Sequence, residues 1–123
     1  MIKIIFCLRR KAGLTAEDFQ QYWRERHAPL VIERARRLGI RRYVQSHTIF
    51  DSRLDRLARE RGFAGEPFDG VAELWFDSPA VLYPKPDAPT KSVQAARDLL
   101  ADEACFIDPE RSPIFVAEEH SIM

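Results

Sequence analysis

The chain has 123 residues, 46% of them apolar, and 19 basic side chains balance 19 acidic ones. That length suits one domain over 1–123 with its own core, and the even balance leaves no global field to favour nucleic acid or an anionic membrane as partner. Two cysteines without metal-ligand spacing, and an apolar start that soon meets Arg9-Arg10, predict a cytoplasmic chain with no disulfide framework, signal peptide or membrane span.

Residues 2–9 are almost wholly apolar and rich in isoleucine, which predicts a strand covered on both faces. After the turn Arg10-Lys11-Ala12-Gly13, Thr15 opens a capping box with Asp18, and Phe19, Tyr22, Trp23, Arg26, Leu30 and Val31 recur at helical spacing. Pro29 removes a backbone donor inside this pattern, so the helix should kink or split near His27, and Gly39 should close its second piece. Arg34, Arg36, Arg37, Arg41 and Arg42 crowd around that end with Glu33 among them. They read either as a solvated helix end whose cations suit the dipole, or as an anion site.

Residues 41–50 predict the second strand, in which Tyr43, Gln45 and His47 alternate with Val44, Ser46 and Thr48. Three hydrogen-bonding side chains on one face mean that the face meets water or lines a ligand pocket. The segment Asp51–Arg61, alternating in charge, carries Leu54, Leu57 and Ala58 on one side of a short surface helix ended by Gly62, inside a helical insertion at about 51–68. Gly65, Pro67 and Gly70 bound a third strand, Val71–Phe76, in which Glu73 shares a face with Val71 and Trp75.

Ser78-Pro79 opens a single turn through Tyr83, and a proline-rich loop spans 84–89. Thr90 should cap a helix carrying Val93, Ala96, Leu99 and Leu100, and 113–118 make the last strand. The fold class this order implies is α+β: a ferredoxin-like βαββαβ protomer with an antiparallel four-stranded sheet and two helices on one face. Strands one and three are apolar on both faces, so the open face calls for a second copy packed sheet to sheet, a homodimer that closes a barrel around a ligand-sized cavity.

The run Phe6 to Arg10, Gly13-Leu14-Thr15, Phe19, Tyr22-Trp23, His27-Ala28-Pro29-Leu30, Tyr43, Gln45, His47, Asp69 to Phe76 and Glu118-Glu119 resembles the EthD family of the dimeric α/β barrel superfamily. The resemblance covers nearly the whole chain. It implies a ferredoxin-like protomer, a homodimer and a pocket inside each half-barrel. Members of that family occur beside ether-degrading oxidases and, in fungi, act as dehydratases, decarboxylases or oxidation partners on aromatic polyketides. The insertion at 51–68 and the loop at 84–89 depart from the family pattern.

Each candidate site residue has two readings. His27 is a general base or proton donor, being the side chain that titrates nearest neutrality, or it satisfies carbonyls that Pro29 leaves free. His47 lines the cavity with Tyr43 and Gln45, or faces solvent from an edge strand. Glu73 is a buried proton-transfer carboxylate, or one half of an ion pair with Arg9 or Arg42. Trp75 is an apolar wall against ligand, or packing like Trp23. No metal-ligand spacing and no glycine-rich phosphate cradle occurs, so neither metal nor cofactor is expected.

Together these residues point to a small apolar partner molecule, aromatic or ether-like, and to cofactor-free proton-transfer chemistry on it, dehydration or decarboxylation, in a catabolic or polyketide pathway. His27 and His47 would exchange protons, Tyr43 and Gln45 would orient a carbonyl or hydroxyl, and Glu73 and Trp75 would hold substrate. The alternatives are a non-catalytic accessory protein that holds an intermediate for an oxidase, and a cofactor-free or haem-dependent monooxygenase.

Overall fold

The isoleucine-rich start forms a strand over Ile2–Leu8 (β1), and a computed structural model describing residues 1–63 and 65–123 places it inside a four-stranded sheet. β1 pairs antiparallel with Gly70–Phe76 (β3) on one side and Ile114–Glu118 (β4) on the other. Arg42–His47 (β2) pairs with β3, so the spatial order is β2-β3-β1-β4, the ferredoxin-like arrangement. The second strand is shorter than the expected 41–50. Beyond the Thr48 N–H, which still reaches the Asp69 carbonyl, the chain leaves for the insertion, where Arg56–Glu60 forms a short exposed helix (α3).

The Thr15 hydroxyl accepts the Asp18 N–H at 3.0 Å and starts a helix over Ala16–Tyr22 (α1). Pro29 then has the expected effect in a particular form. Trp23–His27 makes a π-helical turn in which the Ala28 N–H reaches back five residues to the Trp23 carbonyl. A new helix, Ala28–Leu38 (α2), follows with Pro29 in its first turn, where a missing N–H costs nothing. Gly39 closes α2 with φ +75° in the left-handed region, and an added Cβ there would stand 2.9 Å from Val81 Cγ1.

The last helix, Thr90–Glu103 (α4), departs from expectation in its cap and in its buried stripe. Pro89 rather than Thr90 is its N-cap, because the fixed φ of proline already turns the chain into the helix. Its inner stripe is Ala95, Leu99, Asp102 and Glu103, while Val93, Ala96 and Leu100 are exposed. Hydropathy alone misplaces that stripe because Asp102 finds hydrogen-bond partners on the neighbouring helical turn, so a carboxylate can turn inward.

Strand alternation divides the sheet into two unlike faces. Phe6, Leu8, Tyr43, Ala72 and Leu74 point to the helices and join the core of Phe19, Trp23, Phe106 and Ile107. Phe106 sits among rings, 5.5 Å from Phe19, 5.2 Å from Tyr22 and 5.0 Å from His27. Trp23 lies so close over β3 that a Cβ on Gly70 would come within 2.4 Å of its ring, so only glycine fits there. Asp69, buried just before β3, accepts from the Arg10 backbone at 2.8 Å and its guanidinium at 3.0 Å, which pins the end of β1.

By the same register, Lys3, Ile5, Cys7, Val44, Val71, Glu73, Trp75 and Phe115 project from the open face. That face is less uniformly apolar than strands one and three suggest. Lys3 pairs with Glu73 at its middle and with Glu119 at 3.0 Å, so the partner of Glu73 is Lys3 and not Arg9 or Arg42.

Candidate functional site

Between the sheet and the helices lies a cavity of about 50 Å³, lined by Phe6, Trp23, His27, Tyr43, Leu74, Leu99, Glu103 and their neighbours. Three titratable groups therefore face one mostly apolar space. Each arrives from a different element: His27 from the π-helical turn, Tyr43 from β2 and Glu103 from the end of α4.

His27 Nδ1 lies 2.7 Å from Asp102 Oδ2, and the Tyr22 hydroxyl donates to Asp102 Oδ1 at 2.6 Å. An ionised Asp102 accepts both bonds, which sets the proton of a neutral His27 on Nδ1 and leaves Nε2 basic. Nε2 has no protein partner among the described residues. Burial pushes the His27 pKa below 6.5 against the opposing pull of Asp102, so the neutral ring is the form favoured near neutral pH.

Glu103 moves the other way. Burial, with a smaller contribution from the Asp102 charge, raises its carboxyl from 4.5 to about 7. Burial likewise raises the Tyr43 phenol, partly offset by a hydrogen bond from Gln45. Gln45 Nε2 donates to Tyr43 Oη at 2.7 Å and to the Trp23 carbonyl at 2.9 Å. Since Tyr43 Oη accepts there, its own hydrogen stays available to the cavity it lines.

The expected site residues thus fall into three groups. His27 and Tyr43 reach the cavity. Gln45 and His47 share the helix-facing side of β2 but stand outside the lining, so neither of the two alternatives drawn for that face, water or pocket, describes them. His47 stacks on Trp23 at 4.4 Å, and its Nε2 lies 2.7 Å from Gln45 Oε1. Gln45 Oε1 can only accept, so the proton sits on Nε2 and Nδ1 is left buried without a partner. Burial, then the nearby Arg24 charge, lowers the His47 pKa.

Glu73 and Trp75 lie on the opposite face of the sheet from His27. Trp75 is only 7% exposed because Lys3 Nζ stands 5.0 Å and the Arg42 guanidinium 4.6 Å from its ring centre. The residues that sequence reasoning missed are Tyr22 as an Asp102 partner, and Asp102 and Glu103 themselves. The available signal was a pair of adjacent carboxylates in the last turn of a helix, where the dipole disfavours negative charge.

A larger cleft, about 680 Å³, opens between the β1–α1 turn and the insertion. Its walls include Arg9, Arg10, Asp51 and Asp69, which are already bonded within the chain. It lies away from the His27–Asp102 pair.

An antiparallel sheet in this order, roofed on one face by helices that enclose a titratable cavity, defines a ferredoxin-like α+β domain. Within that class the chain belongs to the EthD family: the model of the EthD domain matches residues 11–110. An EthD family protein of Bacillus halodurans C-125 superposes with a TM-score of 0.60 at 16% identity, over 98% of this chain and 99% of that one. An EthD-like protein of Ralstonia eutropha JMP134 gives 0.60 at 17% identity over 99% and 94%. HapK from Hahella chejuensis gives 0.60 at 10% identity over 98% and 93%. A search of curated proteins gave no match. At such identities the solved structures speak to the fold. Among the described residues no helix is long and apolar enough to cross a membrane.

Proposed function

We propose that the chain works as a homodimer whose sheet-to-helix cavity takes a small, mainly apolar molecule, aromatic or ether-like, and moves a proton on it, as in dehydration or decarboxylation, using groups the protein supplies. One observation carries this reading: His27, held by Asp102 at 2.7 Å, and Glu103 line the same cavity with proton affinities displaced in opposite directions. Pairs of titratable groups pushed apart by their surroundings mark acid and base roles.

His27, neutral with a free Nε2, is the base. Glu103, with a pKa of about 7, holds a proton that it can give to a departing hydroxyl or a carbanionic carbon. Tyr43 donates its hydroxyl hydrogen to a carbonyl or oxyanion, and Gln45 acts behind it as a positioning residue. Asp102 keeps the His27 proton on Nδ1 and stabilises the imidazolium formed when Nε2 takes a proton. These assignments move Glu73 and Trp75 away from substrate and make His47 a support for Trp23. An aromatic ring needs roughly 150 Å³, so binding must spread the cavity walls, of which Leu99 and Tyr43 are only half-buried.

The test begins with native mass spectrometry of the purified protein. It should give twice the 14.3 kDa chain mass with a small molecule retained. Returned to the protein in deuterium oxide, that molecule should be converted, or should gain deuterium at an acidic carbon, at a rate that His27→Asn lowers by about 100-fold. A ligand recovered unchanged and unlabelled makes the chain a carrier for another enzyme and sinks the catalytic reading.

A further inference from the structure

The end of α2, the turn at Pro79–Leu82, the 84–89 loop and the first turn of α4 form a groove of about 390 Å³ that shares no lining residue with the His27 cavity. That volume is in the range of small-molecule sites. Val81, Tyr83, Pro89 and Val93 give it an apolar lining, while Arg36, Arg37 and Lys85 bring positive charge, and no aspartate or glutamate lines it.

The crowd of arginines seen in the sequence is divided by this groove. Arg34 pairs with Asp98 at 3.1 Å and Arg41 with Asp77 at 2.7 Å, and Arg42 covers Trp75. Arg36, Arg37 and Lys85 make no ion pair among the described residues and donate no side-chain hydrogen bond there. Nor does the end of α2 need them as caps. The carbonyl of Ala35 accepts from Ile40 at 2.9 Å, that of Arg36 from Gly39, and that of Arg37 from the Ser92 hydroxyl at 3.2 Å. Three cations without a direct partner, of which Arg37 also feels the more distant Asp98 charge, thus remain around an apolar floor.

We propose that this groove binds an amphiphilic organic anion, a carboxylate or sulfonate on a short apolar body, with the head among Arg36, Arg37 and Lys85 and the body along Val81, Tyr83 and Val93. A neutral molecule of the same shape forgoes the charge attraction, and an inorganic anion forgoes the apolar contact. The site needs both. It stands independently of the His27 cavity, so either reading can fail while the other holds.

The experiment is a titration of the full chain, followed by amide NMR, with sodium octanoate, 1-octanol and sodium sulfate in turn. Octanoate should give saturable shifts at Val81, Tyr83 and Val93, at least about tenfold tighter than 1-octanol or sulfate, and weaker as salt is added. The double variant Arg36→Gln/Arg37→Gln should weaken octanoate about tenfold without altering the thermal unfolding of this exposed surface. Val93→Ser should weaken octanoate while leaving the feeble sulfate response unchanged. Octanoate shifts centred on His27 and Leu99 instead, equal affinity for octanoate and 1-octanol, or indifference to the double variant each overturn the proposal.

Discussion

The two faces of the sheet treat charge in opposite ways. On the open face the ionisable groups answer one another: Lys3 bonds to Glu73 and Glu119, and Lys3 and Arg42 flank Trp75. Under the helices, the Glu103 carboxyl makes no hydrogen bond among the described residues, His47 keeps an unpartnered nitrogen, and His27 and His47 are both pushed toward their neutral forms. Groups that burial holds away from their usual titration are suited to exchanging protons with a ligand, and paired surface groups are not. The proposed chemistry is placed by this unequal treatment and not by residue type, since Glu73 and Glu103 are the same side chain in opposite circumstances.

The heaviest blow to the covered face should come from Trp23, 1% exposed, packed on Phe19 at 5.6 Å and on His47 at 4.4 Å. Trp23→Ala should cost about 3–5 kcal/mol in denaturant unfolding. Gly70→Ala should reproduce much of that loss, because its new Cβ meets the same ring. If both variants unfold like the parent chain, the covered face is not the rigid side of this molecule.

Glu103→Gln comes next and has a sign that changes with pH. A carboxyl raised from 4.5 to about 7 favours the folded state while protonated and opposes it as pH rises through that window. The amide removes this penalty, so the variant should be more stable than the parent above pH 7, by on the order of 2–3 kcal/mol, and close to it at pH 4. His27 and His47 act in the reverse direction, since their lowered values make folded protein lose stability as pH falls below 6.5. The acid limb should therefore survive in Glu103→Gln. A uniform gain at every pH would show that the carboxyl is not desolvated.

Asp102→Asn should have a smaller effect on stability, about 1 kcal/mol, as one of its two hydrogen bonds is weakened. Its sharper readout is the His27 titration by NMR. Without the carboxylate, burial acts alone and the His27 pKa should fall further. A rise would mean that Asp102 does not face the ring as a charged group.

How much of this was legible in the sequence depended on whether a feature is local. The Thr15 cap, the interruption at Pro29, the Gly39 ending and, apart from the shorter β2, the strand pattern follow from a few neighbouring residues, and they stand where expected. So does the order of elements. What could not be read were facts of register between elements. Tyr43, Gln45 and His47 form a polar row whose direction is set by which way the helices fold over β2, and Trp23 decides that by lying against Gly70. Nothing near Asp102 in the sequence marks it, because its partners, Tyr22 and His27, are 80 and 75 residues away along the chain. The neighbours of Glu73 in sequence leave it as either a buried proton-transfer carboxylate or half of an ion pair, and its partner Lys3 is reached only across the strands.

The gentlest change to the chain itself tests the proposed assembly. Phe115 on the open face is 50% exposed in β4, whose outer edge pairs with no strand among the described residues. Placed there, a charge touches little of the covered core, so Phe115→Asp should change the folding of an isolated chain by no more than about 0.5 kcal/mol. In a sheet-to-sheet dimer the same carboxylate would meet apolar surface across a two-fold axis, where an unpaired buried charge is costly. Sedimentation should then show the mass halving while the His27 titration and the Trp23 fluorescence stay as they were. Dissociation that also disturbs His27 would mean that the two faces are coupled, and the cavity would then depend on the partner copy.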